Sequence, residues 1–435
     1  MELRKPNIIY INSPDTGRYT QPYGHAVDTP NLQRLAEEGV LFRQSFTVAP
    51  TCSPSRAALT LGQLPRTSGI FGLGHRGFIP NDFSQHLAHT LKDAGYLTIA
   101  DKRMPDNHTG AKFIGNGPED AHRVCGYEQR FRDDADIIDT IKRDHERPFF
   151  MSINHVVTHR KGAGFTAKPD ARDDPRYTAP PPVLADTPEV RADWAHFKSD
   201  ARLLDEKIGE VITAVDEAGL RENTLIIATT DHGAPFPGMK CCLNVQGCGT
   251  FLIIRGPGGF TGGKVVDALC SNLDIYPTVC ELLEIKKPDF LQGASLLPLI
   301  SGETEEIHEF ITGEVTYHAA YEPKRCYREK RWVYARRFGE RKKVVMPNID
   351  ASPSKTVWIH DGYADSESDW ETLYDAFYDP QEMNNLAYHP KYQAKLEEMR
   401  GKLNQQMQSV NDPLLSGDVP APKGAKVTDP DAMDP

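Results

Sequence analysis

The chain has 435 residues, 39% hydrophobic and 26% charged, and its 50 basic and 61 acidic side chains give a net charge of −11. That length suits a large α/β domain with a smaller companion, and the composition is that of a globular protein with a substantial core. The acidic balance excludes a general nucleic-acid binder, and no apolar stretch is long enough to span a bilayer, although a local cationic pocket for a small anion stays compatible with both.

In chain order, residues 7–12 form a short apolar run that ends at Ser13-Pro14-Asp15, which predicts a buried strand and then a loop. Pro30 to Gly39 reads as a helix with proline at its start and glycine at its end. Residues 40–48 are strand-like, and Ser53-Pro54 opens another helix with Ser53 as the expected cap. An amphipathic helix over 84–95 stops at Gly95, and 96–100 is a strand. Helix 133–146 and strand 148–156 follow, and 160–190, rich in proline and aspartate, reads as a surface loop. Residues 192–220 keep helical spacing through Leu204, Ile208, Val211, Ile212 and Val215. Runs 224–231 and 250–257 are buried strands, and 274–285 is a helix with Pro277 in its first turn. Beyond residue 300, 329–338 and 356–361 read as strands of a smaller sheet, 391–408 as a helix, and the Pro/Asp/Lys-rich end as a poorly ordered tail.

Strands alternating with helices predict an α/β fold, a large mainly parallel sheet sandwiched by helices, with a smaller C-terminal α+β subdomain. The expected division is 1–305 for the catalytic domain, 306–410 for the subdomain and 411–435 for an extended tail. Ligands on such sheets bind outside the carboxyl ends of the strands, where Asp15, His159 and Asp231-His232 all fall. Eight irregularly spaced cysteines do not make a disulfide framework, and Cys241, Cys242 and Cys248 lack a second pair at zinc-finger spacing. The N-terminal run leaves no room for a signal peptide, so the chain as it stands reads as cytoplasmic, or periplasmic if a leader was removed.

Cys52 carries the chemistry. Beside Ser53-Pro54 it is expected just before a helix N-terminus, where backbone N–H groups favour negative charge. Taken alone it would be a small buried hydrophobe. Its setting says otherwise: Cys52-Ser53-Pro54-Ser55-Arg56 is similar to the Cys-x-Pro-x-Arg signature of type I sulfatases, in the alkaline phosphatase superfamily. Ala57-Ala58-Leu59-Thr60 and Gly62 continue it, as do Pro6-Asn7-Ile8-Ile9, Thr29-Pro30-Asn31-Leu32, Thr230-Asp231-His232-Gly233 and Leu373-Tyr374-Asp375 in family order. Phe42-Arg43-Gln44-Ser45-Phe46, Pro235-Phe236-Pro237 and Arg255-Gly256-Pro257 resemble the bacterial sulfatases akin to N-sulfoglucosamine sulfohydrolase.

The resemblance implies a formylglycine made from Cys52 by a maturation enzyme. As its hydrate, one hydroxyl attacks sulfur and the other expels sulfate. It implies a divalent metal held by Asp15, residue 52, Asp231 and His232. Calcium is the family's usual metal, and His232 tilts the set toward manganese or zinc. The family's first carboxylate of an Asp-Asp pair is here Pro14, so one ligand is missing. Arg56 would steady the site, His159 would protonate the leaving group, with His155 a nearby competitor, and Lys240 and Lys102 would hold the sulfate. The histidine that usually follows Lys102 is Met104, which can neither donate a proton nor hold an oxygen, and His108 is a stand-in one turn on. His318 and Arg325 fall where related enzymes shape the substrate cleft. The implied substrate is a small sulfate ester or sulfamate, on a sugar. Two alternatives stay open: a phosphonate or phosphate ester hydrolase of the same superfamily, and a degenerate member that binds sulfated glycans without turnover.

Overall fold

The computed structural model describes residues 5–101, 121–166 and 173–435. Lys102, Met104 and His108 lie outside them. The six expected runs become β1 (Asn7–Ser13), β2 (Val40–Phe46), β3 (Leu97–Asp101), β5 (Phe149–Asn154), β6 (Thr224–Thr230) and β7 (Leu252–Arg255), and two strands that no run marked, β4 (Gln129–Phe131) and β8 (Lys264–Ser271), join them. They form one eight-stranded sheet in the order β4-β3-β5-β1-β6-β7-β2-β8. β1 pairs in parallel with β5 and β6, as do β3 with β4 and β5, and β2 with β8. β7 runs antiparallel to both its neighbours, so the sheet is mixed and mainly parallel.

Buried strands covered on both faces need apolar residues throughout, and their alternation sorts those residues between two cores. Ile8, Tyr10, Leu225 and Ile227 face one core with Leu87 and Leu91 of helix Leu87–Asp93 and Tyr276 and Val279 of helix Ile275–Leu282. Ile9, Ile11, Ile226 and Ala228 face the other, with Leu32 and Leu35 of α1 (Pro30–Glu38) and Leu204, Ile208 and Val211 of the helix Pro188–Glu217. Among the described residues, no helix is long and apolar enough to cross a membrane. All eight cysteines are free thiols.

The smaller sheet is antiparallel, in the order β12-β11-β10-β9, built from β9 (Ile311–Tyr317), β10 (Tyr321–Arg328), β11 (Trp332–Arg337) and β12 (Glu371–Asp375). One face packs Tyr327, Tyr334 and Leu373 against Leu396, Met399 and Leu403 of the helix Gln393–Ser409. The other packs Val315, Cys326 and Val333 against Phe46 and Leu269 of the large sheet.

Three expectations are corrected. Residues 356–361 are not a strand, because Ser352 caps, through Lys355 N at 3.0 Å, a helix Pro353–His360 with proline at its start. Helix α2 (Cys52–Leu61) starts two residues early: its cap is Thr51, and Ser53 instead accepts from Gly74 N at 2.9 Å. The end of the chain is pinned rather than loose. Lys426 N donates to Arg76 O at 2.7 Å, Thr428 N to Ala319 O at 2.9 Å, and Tyr317 Oη to Val419 O at 2.7 Å.

Candidate active site

The carboxyl ends of β1 and β6 are neighbours, with Ser13 opposite Thr230 in register, so the loops that follow are laid side by side. Gly17 N donates to His232 O at 2.9 Å, Thr16 N to Thr230 Oγ1 at 3.1 Å, and Asp15 N to the Asp231 carboxylate at 2.8 Å. These bonds hold Asp15 at φ 56°, a left-handed conformation that a non-glycine residue adopts only when its surroundings fix it. Gly233 lets the chain leave the site tightly, since a Cβ there would lie 1.8 Å from Gln246 O.

Helix α2 points its N-terminus at this junction with Cys52 as its first residue, so the positive end of the helix dipole faces the cysteine. One turn on, Arg56 is buried, and its fork spans two strands: Nε donates to Asp231 Oδ2 at 2.9 Å and a terminal nitrogen to Asn154 Oδ1 at 2.7 Å. Asp231 also accepts from His232 N at 2.8 Å. Burial disfavours its charge, but His232, Arg56 and the backbone donors outweigh this and hold its carboxyl well below the usual range. His232 Nε2 lies 3.4 Å from Cys52 Sγ and 3.3 Å from Asp15. Burial works against its charged form, yet Asp231, Cys52 and Asp15 prevail and raise the imidazole to about 9.

Asp15, Cys52, Asp231 and His232 thus each offer a ligand atom, all within 4.8 Å of one another. The donor set fits a divalent cation: two carboxylates, one imidazole and the side chain at 52. Asp15 Oδ1, buried, accepts no hydrogen bond, as an atom awaiting a cation would. Pro14, where the expected partner carboxylate is absent, serves structurally: its carbonyl accepts from Thr158 Oγ1 at 2.6 Å.

Around this centre the structure brings most of the expected residues together. Lys240 Nζ lies 3.3 Å from Asp15 and 3.0 Å from Asp350, and although burial opposes its charge the two carboxylates keep it protonated. His159 is half-exposed, with Nε2 3.9 Å from Asp15 and Nδ1 2.7 Å from Arg160 O. His155 is buried just after β5. His318 also arrives at the site: its Nδ1 lies 2.6 Å from Thr51 Oγ1, at the cap of α2, and burial with Lys240 nearby pushes its pKa down, leaving it neutral.

Arg325 does not join them. It is buried in β10 and spent on Asp412, at 2.6 and 3.1 Å, and on Val315 O, so it is not free to touch a ligand. Asp350 is the residue that the sequence reading missed. It follows a short turn, Met346–Asn348, that no motif marks, and only the folded chain sets it against Lys240.

Comparison with known proteins gives a consistent result. The sulfatase family model matches residues 6–285, and the model for the C-terminal region of N-sulphoglucosamine sulphohydrolase matches 240–409. The chain is 25% identical to an ulvan-active sulfatase of Formosa agariphila, over 94% of this chain and 76% of that one. It is 28% identical to human N-sulphoglucosamine sulphohydrolase, over 95% of this chain and 92% of that one. A solved structure of a protein in complex with its substrate D-glucosamine-2-N,6-O-disulfate superposes with a TM-score of 0.69 at 18% identity, covering 94% of this chain and 99% of that one. With the sulfatase model matching residues 6–285, well over half of its length, the chain belongs to the sulfatase family.

Proposed function

We propose that the protein hydrolyses a sulfate ester or sulfamate carried on a sugar, with residue 52 as nucleophile after conversion of its cysteine to formylglycine by a maturation enzyme. The observation that carries this reading is the convergence of Asp15, Cys52, Asp231 and His232 at the N-terminus of α2. Formylglycine would supply an oxygen nucleophile in place of the thiol, and a divalent metal held by these four residues would draw charge from the sulfuryl oxygens.

The chain's own residues do the rest. Arg56 locks Asp231 against β5, so the ligand carboxylate keeps its orientation. The N–H groups of α2 and the Lys240 ammonium favour the negative charge of a sulfate lying over residue 52. A carbonyl only accepts, so His159 Nδ1 carries a hydrogen toward Arg160 O, which leaves Nε2 to take up a proton and pass it to the departing oxygen or nitrogen. His318 and Asp350 wall the site beside Lys240 and suit hydroxyl or amino groups of a sugar. The sugar assignment is supported by the relatives, named for ulvan and for N-sulphoglucosamine, and by the bound D-glucosamine-2-N,6-O-disulfate.

The test is the protein co-expressed with a formylglycine-generating enzyme. Turnover of 4-nitrophenyl sulfate and of the matching aryl phosphonate is compared, and the peptide containing residue 52 is weighed. We expect an aldehyde mass at residue 52 and faster sulfate than phosphonate hydrolysis. A preference for the phosphonate would move the protein to phosphonate ester hydrolysis, and a converted residue 52 with no turnover of any sulfated sugar would make it a binder.

A further inference from the structure

A second recess, of about 400 Å³, opens at the carboxyl end of β2, and none of the four ligand residues lines it. The protein is acidic as a whole, yet Arg18, Arg43, Arg328 and Lys330 line this recess against only two carboxylates, Asp267 and Glu382. Its floor is unusual. The guanidinium groups of Arg18 and Arg328 lie 4.3 and 4.2 Å from the centre of the same Phe46 ring. Arg328 is neutralised by Glu382 through bonds of 2.6 and 3.0 Å, and Glu382 also accepts from Val245 N at 2.7 Å. Glu382 is therefore fully committed.

Arg18 has no such partner. Of its five N–H donors, one reaches Ser45 O at 2.7 Å, its buried Nε finds no acceptor, and it forms no ion pair among the described residues. Burial, with Arg328 beside it, outweighs the pull of nearby Tyr23 and of Glu382 and brings its pKa down to about 10. Unsatisfied donors next to a second guanidinium are costly, and an anion entering the recess would relieve both terms. At the rim, Arg43 and Asp267 are 3.2 Å apart and each more than half-exposed, a weak pair that an incoming anion can exchange. Phe377, 62% exposed, offers the rim an apolar face on which a sugar ring can rest.

We propose that this recess binds an oxyanion, sulfate or carboxylate, borne by a saccharide, with Arg18 as the anchoring donor and Arg43 at the rim. The saccharide part rests on the proposed function, and the site lies apart from the hydrolytic centre. The test uses calorimetric titration of the full chain with a heparin-derived tetrasaccharide and with inorganic sulfate, in a Cys52→Ala background that blocks turnover. Arg18→Met should weaken tetrasaccharide binding about tenfold or more, the worth of a charge-assisted bond. Arg43→Ser, at a position more than half-exposed, should weaken it in the same direction. With Cys52 intact, both variants should keep kcat/KM for 4-nitrophenyl sulfate within about twofold. Unchanged tetrasaccharide affinity in both variants overturns the proposal. A matching fall in 4-nitrophenyl sulfate turnover also overturns it, because Arg18 would then act through the Asp15 loop. Weaker binding of inorganic sulfate alone overturns the saccharide assignment. A chain that hydrolyses no sulfate ester would defeat the proposed function, while the titration would still decide on the recess.

Discussion

The Nζ of Lys240 is shared between two carboxylates, 3.3 Å from Asp15 and 3.0 Å from Asp350, with the lysine and Asp15 both buried. One of these carboxylates belongs to the candidate metal set, and the other arrives from the C-terminal part of the chain. Removing the ammonium takes one counter-charge from buried Asp15, which keeps His232 at 3.3 Å, and leaves part-buried Asp350 without its lysine. Lys240→Met is expected to lower stability by about 3 kcal/mol or more, the cost of breaking a buried pair. A divalent cation takes over part of that neutralisation, so millimolar manganese or calcium should restore part of the loss in urea melts. A variant as stable as the parent without metal would show that Lys240 is not the counter-charge of Asp15.

Arg56 is the second residue on which the centre leans. A lysine at 56 keeps the charge but cannot reach Asp231 and Asn154 together. Arg56→Lys is expected to weaken metal binding about tenfold to a hundredfold, as loss of a group that orients a ligand does. The check is a competitive titration with a metal-sensitive dye. Equal affinities would place the role of Arg56 elsewhere.

His159 is expected to matter in proportion to how poor the leaving group is. Aryl sulfates such as 4-nitrophenyl sulfate expel a stable anion and need little protonation, whereas a sugar hydroxyl needs a proton as it departs. His159→Gln should therefore cost little with 4-nitrophenyl sulfate and about 10²- to 10⁴-fold with an alkyl or sugar sulfate. Parallel kcat/KM measurements on the two classes decide it, and equal losses would assign His159 to binding instead.

The centre was readable in the sequence because its residues follow local rules. Ser13-Pro14-Asp15 and Thr230-Asp231-His232 each close an apolar run, and parallel strands deliver such ends to one edge. Among the described residues from 7 to 285, the sheet follows from the same apolar periodicity, apart from β4, only three residues long, and β8, whose first half is open to solvent and lacks a continuous apolar run. What local rules cannot show is pairing across the chain. Arg325 looks the same in sequence whether it meets a substrate or Asp412, 87 residues away. Asp350 sits in no motif, and Thr51 and His318 are 267 residues apart. The misread helix Pro353–His360 has the opposite origin: its Ser-Pro start was a legible signal, but the apolar run after it resembles a strand.

The Arg325–Asp412 pair gives the last prediction. Burial opposes the charge of Asp412, but Arg325, with Arg66 3.8 Å away, holds its carboxyl below the usual range. A carboxyl whose pKa is lower folded than unfolded stabilises the fold above the unfolded value, and that contribution disappears as pH falls through the folded one. Asp412→Asn should thus cost about 3 kcal/mol at pH 7, by leaving Arg325 buried without its partner. The gap between variant and parent should narrow on acidification below about pH 4, where the parent's carboxyl also loses its charge. Asp412 begins the segment that is tied to Tyr317, Arg76 and Ala319, so the same change should expose residues 413–435 to protease first. Urea melts at the two pH values and timed proteolysis read the two effects separately. A gap that stays constant with pH would mean that packing around Asp412, not its charge, holds the end of the chain in place.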